Sequence, residues 1–257
     1  MSPEVAQQFE STFLAPVDSG AARSMQLMLQ HKDGEKLTKP YRQAWTRFLL
    51  SLLFRMPADI KTLKANIRDD WIMSIPDMQD KYTEARRESD PLSLAEFLDG
   101  QDDSVYEESA MGIAKKMIAH ANISGTIRNM YWSIVSLEGT DFSLLTSDRP
   151  VIITEQLNLP ESHILLPIGP HHLFVAVHSR RHSTFLRSRT KTQLARLVNL
   201  TVVESATEVV YGHNDKQERF VAHRLGTNRP PSQLERVQML RKEQMQRLPN
   251  TDSVLRI

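Results

Sequence analysis

The most distinctive short string in the chain is Leu144-Leu145-Thr146-Ser147-Asp148-Arg149-Pro150-Val151, an apolar run that passes into three hydrogen-bonding side chains and ends at a proline. It reads as a strand with Ser147 and Asp148 at its end, a common position for catalytic carboxylates, with hydroxyls beside them to orient one. Ser147 and Asp148 are therefore the catalytic candidates, Asp148 as metal ligand or general base. The same residues also suit an Asx-type turn, in which the side chains satisfy the backbone and Pro150 sets the exit direction. No spacing indicates a histidine partner for Ser147.

A second group of chemically useful residues is defined by charge. Between Glu161 and Glu204 there is no acidic residue, whereas Arg180, Arg181, Arg187, Arg189, Lys191 and Arg196 fall in that interval with His163, His171, His172, His178 and His182. Forked guanidinium donors suit phosphate, and a helix starting near Lys191 adds backbone N–H groups for an anion. These six residues are the anion-binding candidates, with nucleic acid or another phosphate-bearing ligand as the expected partner. Against this, only Phe174 and Phe185 are interleaved as aromatics. The segment from Asp69 to Glu108, with thirteen acidic residues against Lys81, Arg86 and Arg87, could neutralise the patch within the fold.

Other chemistry finds little support. His178 and His182 have the spacing of two metal ligands on one helix, but the residues before them read as a strand and no glutamate lies between, so no metal site is assigned. His171-His172 after Gly169-Pro170 reads as a turn. The chain has no cysteine, which removes thiolate chemistry, disulfides and sulfur-ligated zinc. It also lacks a phosphate-binding loop, a dinucleotide fingerprint and a serine elbow, and the sequence leaves any cofactor unknown. Whether it is an enzyme is not readable from these residues.

The elements that position these groups follow from periodicity and punctuation. The 257 residues carry a net charge of +1, which excludes a uniformly basic coat, and suit one domain. No apolar run approaches a membrane span and none resembles a signal peptide, so the expected location is the cytoplasm. Helices are predicted from Pro3 to Leu14, closed by Pro16, and from Ser19 to Gln30. Another carries Tyr41, Trp45, Phe48, Leu49 and Leu52 on one stripe, and a fourth runs from Pro57 to about Trp71. Pro76, Pro91 and Gly100 then divide an acidic region of short helices, with a capping box from Ser93 to Glu96. A long helix from about Val105 to Asn122, extending as far as Met130, precedes a change of period at Tyr131.

Strands are predicted next. Trp132, Ile134 and Leu137 pair with Phe142, Leu144 and Leu145 across a Gly139-Thr140-Asp141 hairpin turn, and short runs follow at Val151–Thr154, Ile164–Leu166 and Leu173–Val177. Helices return at a Thr190–Gln193 capping box, with Leu194, Leu197, Val198 and Val202 buried and Asn199 beside them. A shorter one from Asp215 to Leu225 is closed by Gly226 and the last begins at a Ser232–Glu235 capping box. Its ragged apolar face packs on the domain edge or docks a second subunit, giving a homodimer. The expected architecture is a single α+β domain, a helical lobe over 1–130 followed by a small mixed or antiparallel sheet and C-terminal helices over 131–257.

Read in order, Trp132-Ser133-Ile134-Val135, the Phe142–Val151 string, Leu166-Pro167-Ile168-Gly169-Pro170, Asn199 and Ala206-Thr207-Glu208-Val209-Val210-Tyr211 resemble the bacterial domain-of-unknown-function family 4238. Arg55-Met56-Pro57 is similar to that family's Arg-x-Pro turn. The resemblance covers about Phe9 to Leu225 and implies the fold and a hot region around Asp148, but no activity. The family typically opens on a His-Tyr-Val-Pro-Gln-like segment. This chain shows none, so the resemblance leads to the expectation that an N-terminal portion of a site is missing. Three functions stand: an anion or nucleic-acid binding module, a metal-dependent hydrolase of phosphodiesters using Asp148, and an assembly module acting through the last helix.

Overall fold

The computed structural model describes residues 7–31, 36–154 and 156–247. Two prolines predicted to end helices lie inside them. The chain is helical from residue 7 through α1 (Ala15–His31), with a π-helical stretch at Glu10–Leu14 just ahead of Pro16. Proline has no N–H and its ring crowds the carbonyl four residues back; the wider π turn, in which Ala15 N–H donates to Glu10 O, absorbs both defects. The predicted start of this helix at Pro3 lies outside the described residues. After α2 (Lys39–Phe54), the helix α3 (Pro57–Ala85) continues through Pro76 rather than stopping near Trp71. The carbonyl that Pro76 leaves without its N–H belongs to Ile72, a residue 50% exposed, where water can serve it.

Next come α4 (Leu94–Asp99), capped by Ser93 Oγ accepting from Glu96 N–H, and α5 (Asp103–Ile118). The expected single long helix breaks at Ala119-His120, where His120 caps α6 (Ala121–Asn129). The first strand, β1 (Tyr131–Ser136), does not form the predicted hairpin with Phe142–Leu145. It pairs antiparallel with β5 (His172–Val177) along its whole length, Tyr131 opposite Val177 and Ser136 opposite His172. Gly139, at φ +82°, does turn the chain. Beyond it, however, Leu144 N–H goes to Pro170 O and Leu145 N–H to the Asn199 side chain, so that stretch has its partners elsewhere.

The four-stranded sheet has the order β1-β5-β4-β3, with β4 at His163–Gly169 and β3 at Ile152–Ile153, all antiparallel. A second, two-stranded sheet joins β2 (Thr146–Ser147) to β6 (Val210–Tyr211). The fold is α+β as its sequence predicted. Strand alternation explains its three layers. Phe174 and Ala176 of β5 face the helical side with Trp132, Trp45 and Leu49, whereas Leu173, Val175 and Val177 face α7 (Arg180–Arg187) and α8 (Lys191–Ser205) through Leu186, Leu194, Val198 and Val202. One member of each of two predicted stripes is more open than expected: Tyr41 and Leu197 are each 36% exposed.

The Thr190–Gln193 capping box that starts α8 forms in both directions. A 3₁₀ turn at Asp215–Gln217 leads into α9 (Glu218–Arg224), closed by Gly226 at φ +68°. In α10 (Gln233–Arg247) the Ser232–Glu235 box is reciprocal too, Glu235 N–H donating to Ser232 Oγ and Ser232 N–H to Glu235 Oε2. The helix docks by its first turn, where Leu234 is 4% exposed and joins the core, while Val237, Met239 and Leu240 are exposed. Among the described residues no helix is long and apolar enough to cross a membrane.

Candidate functional site

The Thr-Ser-Asp string ties distant segments together. Ser147 is buried, its hydroxyl donating to Val202 O at 3.4 Å and accepting from Arg149 N–H at 3.1 Å. Among the described residues no imidazole or carboxylate is hydrogen-bonded to it. Asp148 accepts from the backbone N–H of Thr207 at 3.0 Å and of Glu208 at 3.0 Å, while its own N–H donates to Val209 O at 3.1 Å. Both carboxylate oxygens are thus engaged in holding the turn between α8 and β6, a charge-assisted clasp. The string also lines one wall of a cavity of about 440 Å³ with Glu10, Leu14, Arg55 and Glu208. Arg55, from the Arg-Met-Pro turn, has its Nη1 at 3.1 Å from both oxygens of Asp18.

The basic interval lies elsewhere. Thr207 follows the C-terminal end of α8, whereas Lys191 begins it, and fifteen helical residues place these ends about 22 Å apart. Arg180 stacks on the ring of Tyr131 at 5.0 Å, Lys191 Nζ donates to Glu138 O at 3.0 Å and Arg196 stacks on Phe142 at 5.2 Å. Arg180, Arg181, Lys191 and Arg196 are exposed, and among the described residues none is ion-paired with a carboxylate. Tyr131 opens β1 and Glu138 follows its end, so Arg180, Lys191 and Arg196 form a row that borders this edge strand over roughly 17–20 Å, whereas Arg181 lies by Pro160, Glu161 and His182. Glu138 and Asp141 stand on the same border. Arg189 is half-buried with a partner of its own, and the side chain of Arg187 lies outside the described residues.

The histidines sort differently from their spacing. His178 precedes the cap of α7, so it and His182 share no helix. His182 meets His163 instead, Nε2 to Nδ1 at 3.2 Å, with Glu161 O at 3.1 Å from the same Nδ1. The ring centroids are 5.2 Å apart and the planes within 19°, so the rings meet edge to edge through their nitrogens rather than face to face. Burial, foremost, and the neighbouring His182 and Arg189 push the His163 imidazole below its usual value, opposed by the Glu161 backbone. Among the described residues no three His, Asp or Glu side chains gather as a metal site.

Sequence reasoning missed an ionisable cluster beside the Thr-Ser-Asp-Arg string. Asp59, in the first turn of α3, is 2% exposed, and its Oδ2 has no partner among the described residues. Around it stand Ser232, which bonds its side chain, Glu235 of α10, and Arg149 and Arg229, the latter paired with Glu235 at 3.0 Å. Burial is the main cause that raises the Asp59 carboxyl above 3.8, with Glu235 adding to it and Ser232, Arg149 and Arg229 opposing. A raised folded value means that the stabilising form is the neutral one, fully present below the unfolded value and lost as pH rises through the folded one. Asp59→Asn should therefore raise the melting temperature at pH 7. Its advantage over the parent protein should shrink as pH falls toward 4 in parallel thermal melts; an advantage that grows in acid would refute this. Only burial signals this cluster, and burial of one aspartate is not visible in sequence.

A helical lobe packed on one face of a four-stranded antiparallel sheet, with two helices on the other, defines an α+β protein with a cavity at the Thr-Ser-Asp string. The family model described as Protein of unknown function (DUF4238) matches residues 2–216, and the chain belongs to this family. Comparison with curated proteins gave no match, and neither did comparison with solved structures. The matched span includes Arg55, Asp148 and the basic row and ends before α9 and α10.

Proposed function

We propose that the protein is an anion-binding module that takes nucleic acid along the border of β1. The observation carrying this reading is the row of Arg180, Lys191 and Arg196, exposed and without carboxylate partners among the described residues. Cations spread over roughly 17–20 Å fit a chain of phosphates better than a single one. The rings of Tyr131 and Phe142 beneath two of the arginines hold those guanidiniums in place and add stacking surface. The distance between this row and Asp148 supports binding over phosphodiester hydrolysis, which would need the arginines beside the carboxylate.

Fluorescence anisotropy of labelled single- and double-stranded oligonucleotides over a salt series tests the proposal. Affinity should fall steeply with salt, and replacing Arg180, Lys191 and Arg196 by alanine should weaken binding about tenfold or more. The slope of log affinity against log salt should become shallower by about 2 for single strands. Equal affinity and slope in the triple variant would remove the proposal.

A further inference from the structure

We propose that the cavity beside Asp148 binds a small organic cation, an alkylammonium group carrying a short apolar body. This cavity lies at the opposite end of α8 from the basic row, so the inference is independent of the anion-binding reading. Its volume of about 440 Å³ is that of a small-molecule site. The apolar part of its lining, Leu14, Leu52, Met56, Pro150 and Val209, comes from the N-terminal helix, α2 and the turn after it, the segment after β2 and the turn before β6.

Its charges are unequal. Glu10, Asp148 and Glu208 line it against Arg55 alone, and Arg55 is already held by Asp18 at 3.1 Å. Glu10 and Glu208 are exposed and have no side-chain partner among the described residues. Asp148 lies deeper, fixed by the N–H groups of Thr207 and Glu208, and presents a carboxylate that needs no rearrangement to accept from an ammonium. The π-helical stretch gives Glu10 and Leu14 to the same wall, one polar and one apolar. A carboxylate rim over an apolar floor recognises an ammonium head on a hydrocarbon body and repels a carboxylate of the same length.

The test is titration of the full chain with n-butylammonium and, separately, butanoate, followed by backbone amide chemical shifts. With n-butylammonium, the Thr207 and Glu208 amides should shift and saturate, whereas butanoate should leave them unmoved. The Glu10→Gln/Glu208→Gln variant, altered only at exposed positions, should bind n-butylammonium about fivefold more weakly or worse. Absence of saturable shifts at those amides, equal response to butanoate, or unchanged affinity in the double variant would each overturn the inference.

Discussion

Trp45→Ala should lower the free energy of unfolding by about 3–5 kcal/mol and do so in a single transition. Trp45 is 1% exposed, with its ring 5.2 Å from Phe48 on its own helix and 5.4 Å from Phe174 on the central strand. Phe174 in turn meets Trp132 at 5.4 Å. This aromatic chain fastens the helical lobe to the sheet, and the core it belongs to runs from Phe9 to Leu234. The Trp45 indole N–H is buried without a partner among the described residues, which offsets a part of the loss. We expect the whole chain to behave as one domain. Urea unfolding followed by far-ultraviolet circular dichroism and by fluorescence of the remaining tryptophans should give coincident curves in parent and variant; two separated transitions would show that the lobes unfold independently.

Asn199→Ala should cost about 3 kcal/mol although it removes little apolar surface. The Asn199 side chain is 2% exposed and accepts from Leu145 N–H at 2.9 Å while donating to Ser143 O at 2.8 Å and to Gln217 Oε1 at 2.8 Å. It therefore stands in for the hairpin partner that Phe142–Leu145 lacks. Alanine leaves the Leu145 N–H and the Gln217 oxygen buried and unpaired, each costing about 1–3 kcal/mol. Ser143 O keeps a bond from Gln217 Nε2 at 2.8 Å. Asn199→Asp should be worse than alanine, because an oxygen then faces the Ser143 carbonyl and the Gln217 oxygen. Chemical denaturation of both variants checks this ordering, and an aspartate variant as stable as the parent would show that the amide is not the hub of this network.

Much of the architecture was legible in sequence because its signals are local. The capping pairs at Ser93, Thr190 and Ser232 mark the starts of α4, α8 and α10, the apolar stripe of Trp45 and Leu49 marks the buried face of α2, and Gly226 marks the stop after α9. Each rests on groups a few residues apart, whose geometry the backbone itself supplies. The strands themselves were readable in the same way, from short apolar runs bounded by turn residues, with a mixed and an antiparallel sheet left equally open.

Pairing across long separations was not. A turn at Gly139 is local, but the partner of β1 is chosen by β5, whose two faces are buried by different layers and whose register seats Phe174 and Val175 on opposite sides. Pro16 and Pro76 read as stops; a π turn and an exposed carbonyl let the helices continue. Sequence alone determined the class of fold, the interval without acidic residues and the unusual Thr-Ser-Asp string. Only tertiary structure decided that Asp148 clasps a turn some sixty residues further on, that the basic row borders β1 at the far end of α8, and that His182 meets His163. The physical reason is range: caps and stripes are satisfied within one or two turns of chain, whereas a carboxylate, a guanidinium or an imidazole acquires its role from whichever distant backbone the packed layers bring against it.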